Sequence, residues 1–342
     1  MLDFKNPATL TKQVNKNLPV KRFLSSFFVP VHLKTLDAQL DTVEGSSTLA
    51  PFKREGAPST VTKRGGYTAR PFHCYEISLE RPTTAFDVFE AQPGEPAIVN
   101  DPMDPNDRQA YIMGQDTADL SKKIDRTIEM LCSKTFFEGG YDILDEDRKK
   151  IDSINFSMKS THKITKTGDY LWGGASADII GDLESLDIVV NEDSGLSVAD
   201  KVFGSAAWTA ARNNEKFMKD FDRLHVDGNN MNLASRENEM GARLVGYHNG
   251  SRIWVFNDTY KSGSDKVNFV PKDKVLAIGK GVAAKLYFGC VGTPKDGWFR
   301  GERFSKTRYD DETETQLLVM KSRPLPVLQQ PDGIAWAKVV NL

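Results

Sequence analysis

No stretch of this sequence holds enough consecutive apolar residues to cross a bilayer, so none of it is expected to span a membrane. The opening residues, MLDFKNPATLTKQVNK, lack a basic segment followed by an apolar core, which argues against a secretory leader. Cysteine is scarce: Cys74, Cys132 and Cys290 are odd in number and far apart. Without a CxxC pair, neither a zinc ribbon nor a disulfide scaffold is indicated, and reduced, buried thiols are expected. The five histidines, His32, His73, His162, His225 and His248, form neither HExxH nor another pair at helical spacing. A zinc or iron site therefore has no support, and each histidine is read as a surface or hairpin residue. A GxSxG elbow and a cysteine in protease-like surroundings are missing too.

Charge of one sign is also not in excess. A net charge of -2 argues against a dedicated DNA-binding protein, which carries a basic surplus. It leaves room for a surface that merely faces nucleic acid. The balance is uneven along the chain: +6 up to residue 75 and -8 beyond it. An oppositely charged front and back suit a chain whose front part lies on another copy's acidic surface, though a chance fluctuation on a solvated surface fits as well. Apolar residues are a lean 39% with a mean hydropathy of -0.44, compatible with small cores that leave much surface to neighbours or with a polar monomer.

The strongest positive signal runs from Asp104 to about Phe137. Asp104 is a good N-cap, Pro105 fits the first helical position, and Asp107 sits at the positive helix end. Leu120, Ile124, Ile128 and Leu131 form one stripe, with Asp119, Lys122, Lys123, Asp125, Arg126 and Glu129 on the other faces. Gly139-Gly140 supplies the stop. Such a helix is about 48 Å long; its narrow stripe suggests a rod backed by sheet on one side only, while the segment taken alone fits an ordinary core helix of a globular enzyme better.

Around it, residues 1–43 carry an aromatic cluster (Phe23, Phe27, Phe28) too short to make its own core, which must dock on this subunit or a neighbour. Residues 44–84 read as a long two-stranded hairpin. Thr48–Phe52 leads out, Lys53 to Gly66 forms a glycine-rich tip, and Phe72 to Leu79 returns. An isolated hairpin of this kind needs a surface to lie on. Asp142 to Met158 is expected as a hairpin. Ile179, Leu183, Leu186 and Val190 predict a helix capped by Ser176. Ala206 to about Phe221 predicts one helix capped by Ser205. Asn249-Gly250 marks a type I′ turn. Gly279-Lys280-Gly281-Val282-Ala283-Ala284 matches a loose dinucleotide fingerprint, but another strand follows at Leu286 in place of a helix, so a turn is expected. The acid runs Asp145-Glu146-Asp147 and Asp310-Asp311-Glu312 are read as solvated turns.

The order of these parts resembles the major capsid protein E family of lambda-like tailed bacteriophages over almost the whole chain. The residues carrying the resemblance are Leu18-Pro19, Arg22-Phe23-Leu24, Phe27-Phe28, Ala50-Pro51-Phe52, Arg64-Gly65-Gly66 and Arg70-Pro71-Phe72. Further along come Val275-Leu276, Tyr287-Phe288-Gly289-Cys290, Lys321-Ser322-Arg323-Pro324-Leu325 and Pro331-Asp332. The resemblance implies an α+β chain with the tailed-phage (Hong Kong 97-like) major capsid fold. Its parts would be an N-terminal arm at 1–43, an extended hairpin loop at 44–84 and a peripheral domain at 85–165 and 301–342 with its spine helix at 104–137. An axial domain would occupy 166–300.

The implied function is a non-enzymatic capsid subunit that assembles into an icosahedral head enclosing double-stranded DNA, located in the virion and assembled in the host cytoplasm. An encapsulin-like compartment or gene-transfer particle is the alternative, and a soluble enzyme a remote one. Implied partners are further copies in hexamers and pentamers, a decoration protein, a scaffold, a portal and packaged DNA, with no membrane, metal or cofactor. Phe23, Phe27, Phe28 and Phe52 are expected as intersubunit anchors, Lys53, Arg54, Lys63 and Arg64 as charge contacts, and Gly65-Gly66 as a hinge. Some shells of this fold form Lys–Asn isopeptide bonds, but no Asn partner is identifiable for Lys53 or Lys63, so both are read as plain surface lysines.

Overall fold

The computed structural model describes residues 22–43, 67–89, 105–145, 147, 149–223, 236–237, 241–293 and 295–342. The long helix runs from Pro105 to Phe137, about 50 Å. Its expected cap, Asp104, lies outside the described residues. Leu120, Ile124, Ile128, Cys132 and Phe136 are buried at a spacing of four, so the stripe continues through Cys132 while Leu131 is only partly buried. Gly139 ends the helix at φ 75, a conformation only glycine adopts freely, and any added Cβ there would meet Met158 at 2.9 Å.

A seven-stranded sheet divides two cores. Its order is Lys163–Thr165, Ile334–Lys338, Lys274–Gly279, Val198–Phe203, Ser251–Val255, Arg243–His248 and Arg236–Glu237. Along Lys274–Gly279, Leu276 and Ile278 join the core against the long helix, whereas Val275 and Ala277 join the core against the shorter helices. That period of two, with both faces apolar, is why Val-Leu-Ala-Ile reads as a continuous hydrophobic run. The turn between Arg243–His248 and Ser251–Val255 holds Asn249 and Gly250 at φ 47 and 77, as the type I′ reading requires. Gly279 to Ala284 is a turn between strands, with Gly281 at φ 72.

Smaller sheets flank the long helix. Val29–His32 pairs parallel with Ala284–Phe288, which pairs antiparallel with Pro324–Leu328. Ile77–Thr83 pairs with Thr315–Ser322, and that strand with Phe304–Asp310. Gly140–Leu144 and Lys150–Asn155 form the expected hairpin.

Several expectations need correction. The extended hairpin begins at Asp37–Val43, before residue 44, and pairs with Tyr67–His73. Ile77–Thr83 leaves it, because alternating side chains let that strand extend the Thr315–Ser322 sheet instead. Ile334–Lys338, grouped by sequence with the spine helix, lies in the seven-stranded sheet, where Ile334 and Trp336 serve one core and Ala335 and Ala337 the other. The helix at Ile179–Ser194 is capped by Asp178, whose carboxylate accepts from the Gly181 amide, and not by Ser176. The helix expected from Ala206 divides into Ser205–Arg212 and Glu215–Arg223, because Asn214 caps a fresh start through the Phe217 amide. Gly204, not Ser205, precedes the first of them; a Cβ there would strike the Pro271 carbonyl at 2.1 Å.

Ile128 is fully buried at the middle of the long stripe. Ile128→Ala is expected to cost about 2–5 kcal/mol through the cavity it leaves. The readout is a lower denaturant midpoint at unchanged slope. An unshifted midpoint would mean the stripe does not carry the core.

Candidate assembly surfaces

The first candidate surface is the arm. Residues Leu24–Phe27 form one 3₁₀ turn whose leading amides have no partner within the turn. Glu129, from the long helix, fills that gap. Its carboxylate accepts from the Leu24 amide at 2.5 Å and the Ser25 amide at 3.1 Å. A negative charge at the start of a helical turn is the favourable arrangement. Arg22 lies between Asp125 (3.6 Å) and Glu302 (2.8 Å), and Arg303 bonds Asp125 and Ser121. Burial raises the Asp125 carboxyl above its ordinary range despite Arg303 and Arg22, and it lowers the Arg303 guanidinium.

Phe23 packs on Phe27, Trp254 and Phe256 with ring centroids 5.1–5.4 Å apart, and Phe28 packs on Phe136 at 4.8 Å. Phe23 is 1% exposed and Phe28 4%. These three aromatics, expected as anchors on a neighbour, are therefore docked on this subunit's own core. The reason is geometric: the parallel pairing of Val29–His32 with Ala284–Phe288 brings the arm across the long helix. Glu129, expected on a solvated face, is the residue that sequence missed. It follows Ile128 directly, and only the arm covering it separates a buried position from an exposed one.

The second surface is the root of the extended hairpin. Its strands pair only with each other among the described residues. The root is fastened by the Cys74 amide on the Leu36 carbonyl (2.9 Å), by His73 against Asp37 (2.6 Å) and by Phe72 on Phe156. Cys74 is buried, and burial pushes its thiol up to about 12, so it is an inert packing group. Just beyond, burial would raise the Glu76 carboxyl, but Lys321 and Arg323, each at 2.7 Å, hold it below the ordinary range. Arg81 bonds Asp116 and Asp119 on the long helix. Phe52, Lys53, Arg54, Lys63, Arg64, Gly65 and Gly66 lie outside the described residues.

A third cluster looks like a metal site and is already occupied by protein groups. His162, Asp193 and Asp332 offer ligand atoms within 4.8 Å of one another. His162 Nδ1 faces the Ile334 carbonyl, its Nε2 faces Asp193, and Lys159 bridges both carboxylates at 3.3 and 3.1 Å. The lysine ammonium fills the place a cation would take. His162 and His248 are fully buried, against the expectation that each histidine sits on the surface or in a hairpin. The three cysteines are free.

Burial pushes the Glu129 carboxyl up to about 7, although hydrogen bonds from Leu24 and Ser25 and the Arg22 charge act in the opposite direction. In the unfolded chain it titrates near 4.5, so between those pH values the folded chain holds the extra proton. Stability from this group is thus greatest below about 4.5 and declines as pH rises towards about 7, by on the order of 3 kcal/mol. Glu129→Gln keeps an acceptor without the charge. It is expected to flatten the stability–pH curve in that window, measured by denaturant unfolding at several pH values. An unchanged slope would contradict the assignment.

Comparisons with known proteins agree with this architecture. The family described as Phage major capsid protein E matches residues 6–339. The prophage capsid protein of E. coli CFT073 is similar in fold, with a TM-score of 0.71 at 14% identity over 98% of this chain and 99% of that one. The mature capsid of bacteriophage PhiM1 gives a TM-score of 0.53 at 14% identity over 94% and 88% of the two chains. Among curated proteins, dipeptidyl-peptidase 7 of Phocaeicola vulgatus is 27% identical over 168 residues, 45% of this chain. The match spans only 22% of that peptidase's length.

Proposed function

The chain belongs to the phage major capsid protein E family, and on that premise we propose how one subunit meets the next in a closed head shell. The observation carrying this reading is the extended hairpin. A two-stranded ribbon is marginal in water, and among the described residues this one has no third strand beside it. In the proposal residues 44–66 continue it across an adjacent subunit. There Lys53, Arg54, Lys63 and Arg64 meet acidic surface, Phe52 adds an apolar contact, and Gly65-Gly66 is the hinge. Such a head-to-tail contact propagates until curvature closes it.

Within this scheme the long helix and its small flanking sheets form the peripheral unit. The seven-stranded sheet and its helices form the axial unit around local five-fold and six-fold axes, in pentamers and hexamers. The shell would enclose double-stranded DNA in the virion head after assembly in the host cytoplasm, with a scaffold, a portal and a decoration protein as partners. Its role is structural, not enzymatic.

Electron microscopy of the chain expressed alone and with its neighbouring genes tests the reading. Closed shells containing DNA are the expected result. Shells holding a cargo enzyme would instead point to an encapsulin-like compartment, and a stable monomer with turnover would overturn both. Reversing Lys53, Arg54, Lys63 and Arg64 to Glu is expected to give folded subunits, by circular dichroism, that no longer close into shells. Normal shells from that variant would remove these residues from the interface.

A further inference from the structure

Between the long helix and the hairpin Thr259–Ser262/Asp265–Asn268 lies an open groove of about 660 Å³. Lys123 and Arg126 line it from the helix, Lys261 and Lys266 from the hairpin, together with the hydroxyl-bearing Thr127, Thr259 and Ser262. Lys261 and Lys266 stand directly opposite each other in the hairpin register. Like charges at facing positions of an antiparallel pair are destabilising. Among the described residues this hairpin is a ribbon without a third strand, so it has little to offset that cost.

Acids on the same elements do not neutralise the pair. Asp119 serves Arg81 and Lys123, Asp125 serves Arg22 and Arg303, Asp265 faces the Ser264 hydroxyl, and Asp258 accepts from the Thr259 amide. Arg126, Lys261 and Lys266 meet no carboxylate within ion-pair distance among the described residues. Met130 and Tyr260 also line the groove, and Tyr260 helps hold its wall in place. Tyr260 packs on Phe269 at 5.0 Å, and the Phe269 carbonyl accepts from Ser133 on the long helix.

We propose that this groove binds the phosphate backbone of nucleic acid, without reading its sequence. The lining supplies point cations and hydroxyls, the groups that bond phosphate oxygens, and it is open at the surface as a continuous backbone requires. A phosphate between Lys261 and Lys266 removes the repulsion the hairpin otherwise carries. The inference deepens the reading that the shell encloses DNA and rests on it for the identity of the polyanion.

The test uses the full-length chain before assembly and a fluorescein-labelled DNA duplex of mixed sequence, followed by anisotropy. With the groove's cations each releasing about one counterion, the affinity is expected to fall up to ~150-fold between about 50 and 200 mM salt. Lys261→Gln with Lys266→Gln should lower the logarithmic salt slope by about 2 and weaken binding at low salt at least roughly ten-fold. This variant relieves a repulsion, so loss of the fold is not expected. Lys122→Gln, on the same helix but outside the groove, should change the slope by about half as much or less.

An unchanged slope in the double variant overturns the proposal. So does displacement of the duplex by poly-glutamate with tighter binding of the peptide, which would make the groove a seat for an acidic protein segment. Loss of shells in the double variant with duplex binding intact would make it a contact between copies. Shells without any duplex binding by the parent chain would sink the groove and leave the capsid reading standing. Duplex binding without shells would do the reverse.

Discussion

A two-stranded ribbon has every backbone bond on one side of each strand and none on the other, and in water it barely holds together. Among the described residues, the hairpin of Asp37–Val43 and Tyr67–His73 is such a ribbon. The rest of the subunit is built to present it. One strand emerges from the arm, which is pinned to the long helix. The other returns into Ile77–Thr83, which is sewn into the Thr315–Ser322 sheet over seven residue pairs. Glu76 sits at that junction with Lys321 and Arg323 on it, so the ribbon's root is fixed by a partly buried, charge-assisted network. A root fastened in this way, carrying two strands that pair only with each other among the described residues, is the geometry of a part to be completed by a neighbour.

The arm solves the opposite problem. A short apolar segment pays for its order only by burying its aromatics, and Phe23 and Phe28 do so on the subunit's own helix and sheet. Glu129 then replaces the water that the amides of the 3₁₀ turn lose. Removing a partner from such a buried group leaves the full desolvation cost behind, so Glu129 ties the arm to the long helix. The same low-dielectric surroundings make the carboxylate expensive to ionise, so the latch carries its own pH dependence.

Much of this was legible from local sequence. Pro105 and Gly139 bracket the long helix, Asn249-Gly250 marks a hairpin, and Ile179, Leu183, Leu186 and Val190 spell a helical face. The larger failures were non-local. Nothing near Ile334 says that it will pair with Ile278, some fifty positions earlier, and not with the sheet beside the long helix. The Leu24 amide meets Glu129 across 105 positions, so a residue that looks solvated beside Ile128 is buried by a segment far away in the chain. The break at Asn213-Asn214 was a local signal outweighed by the flanking alanines; the Asn214 side chain competes for the backbone and restarts the helix. For the candidate contacts at Phe52, Lys53, Arg54, Lys63 and Arg64, the family resemblance remains the support.

Hydrogen exchange of the amides in 37–43 and 67–73, compared between dilute subunits and closed shells, addresses the incompleteness of the lone subunit most directly. Rapid exchange in the subunit that becomes strongly protected in the shell is the predicted result. Equal and strong protection in both would show that the ribbon is supported by its own chain, and would contradict the account.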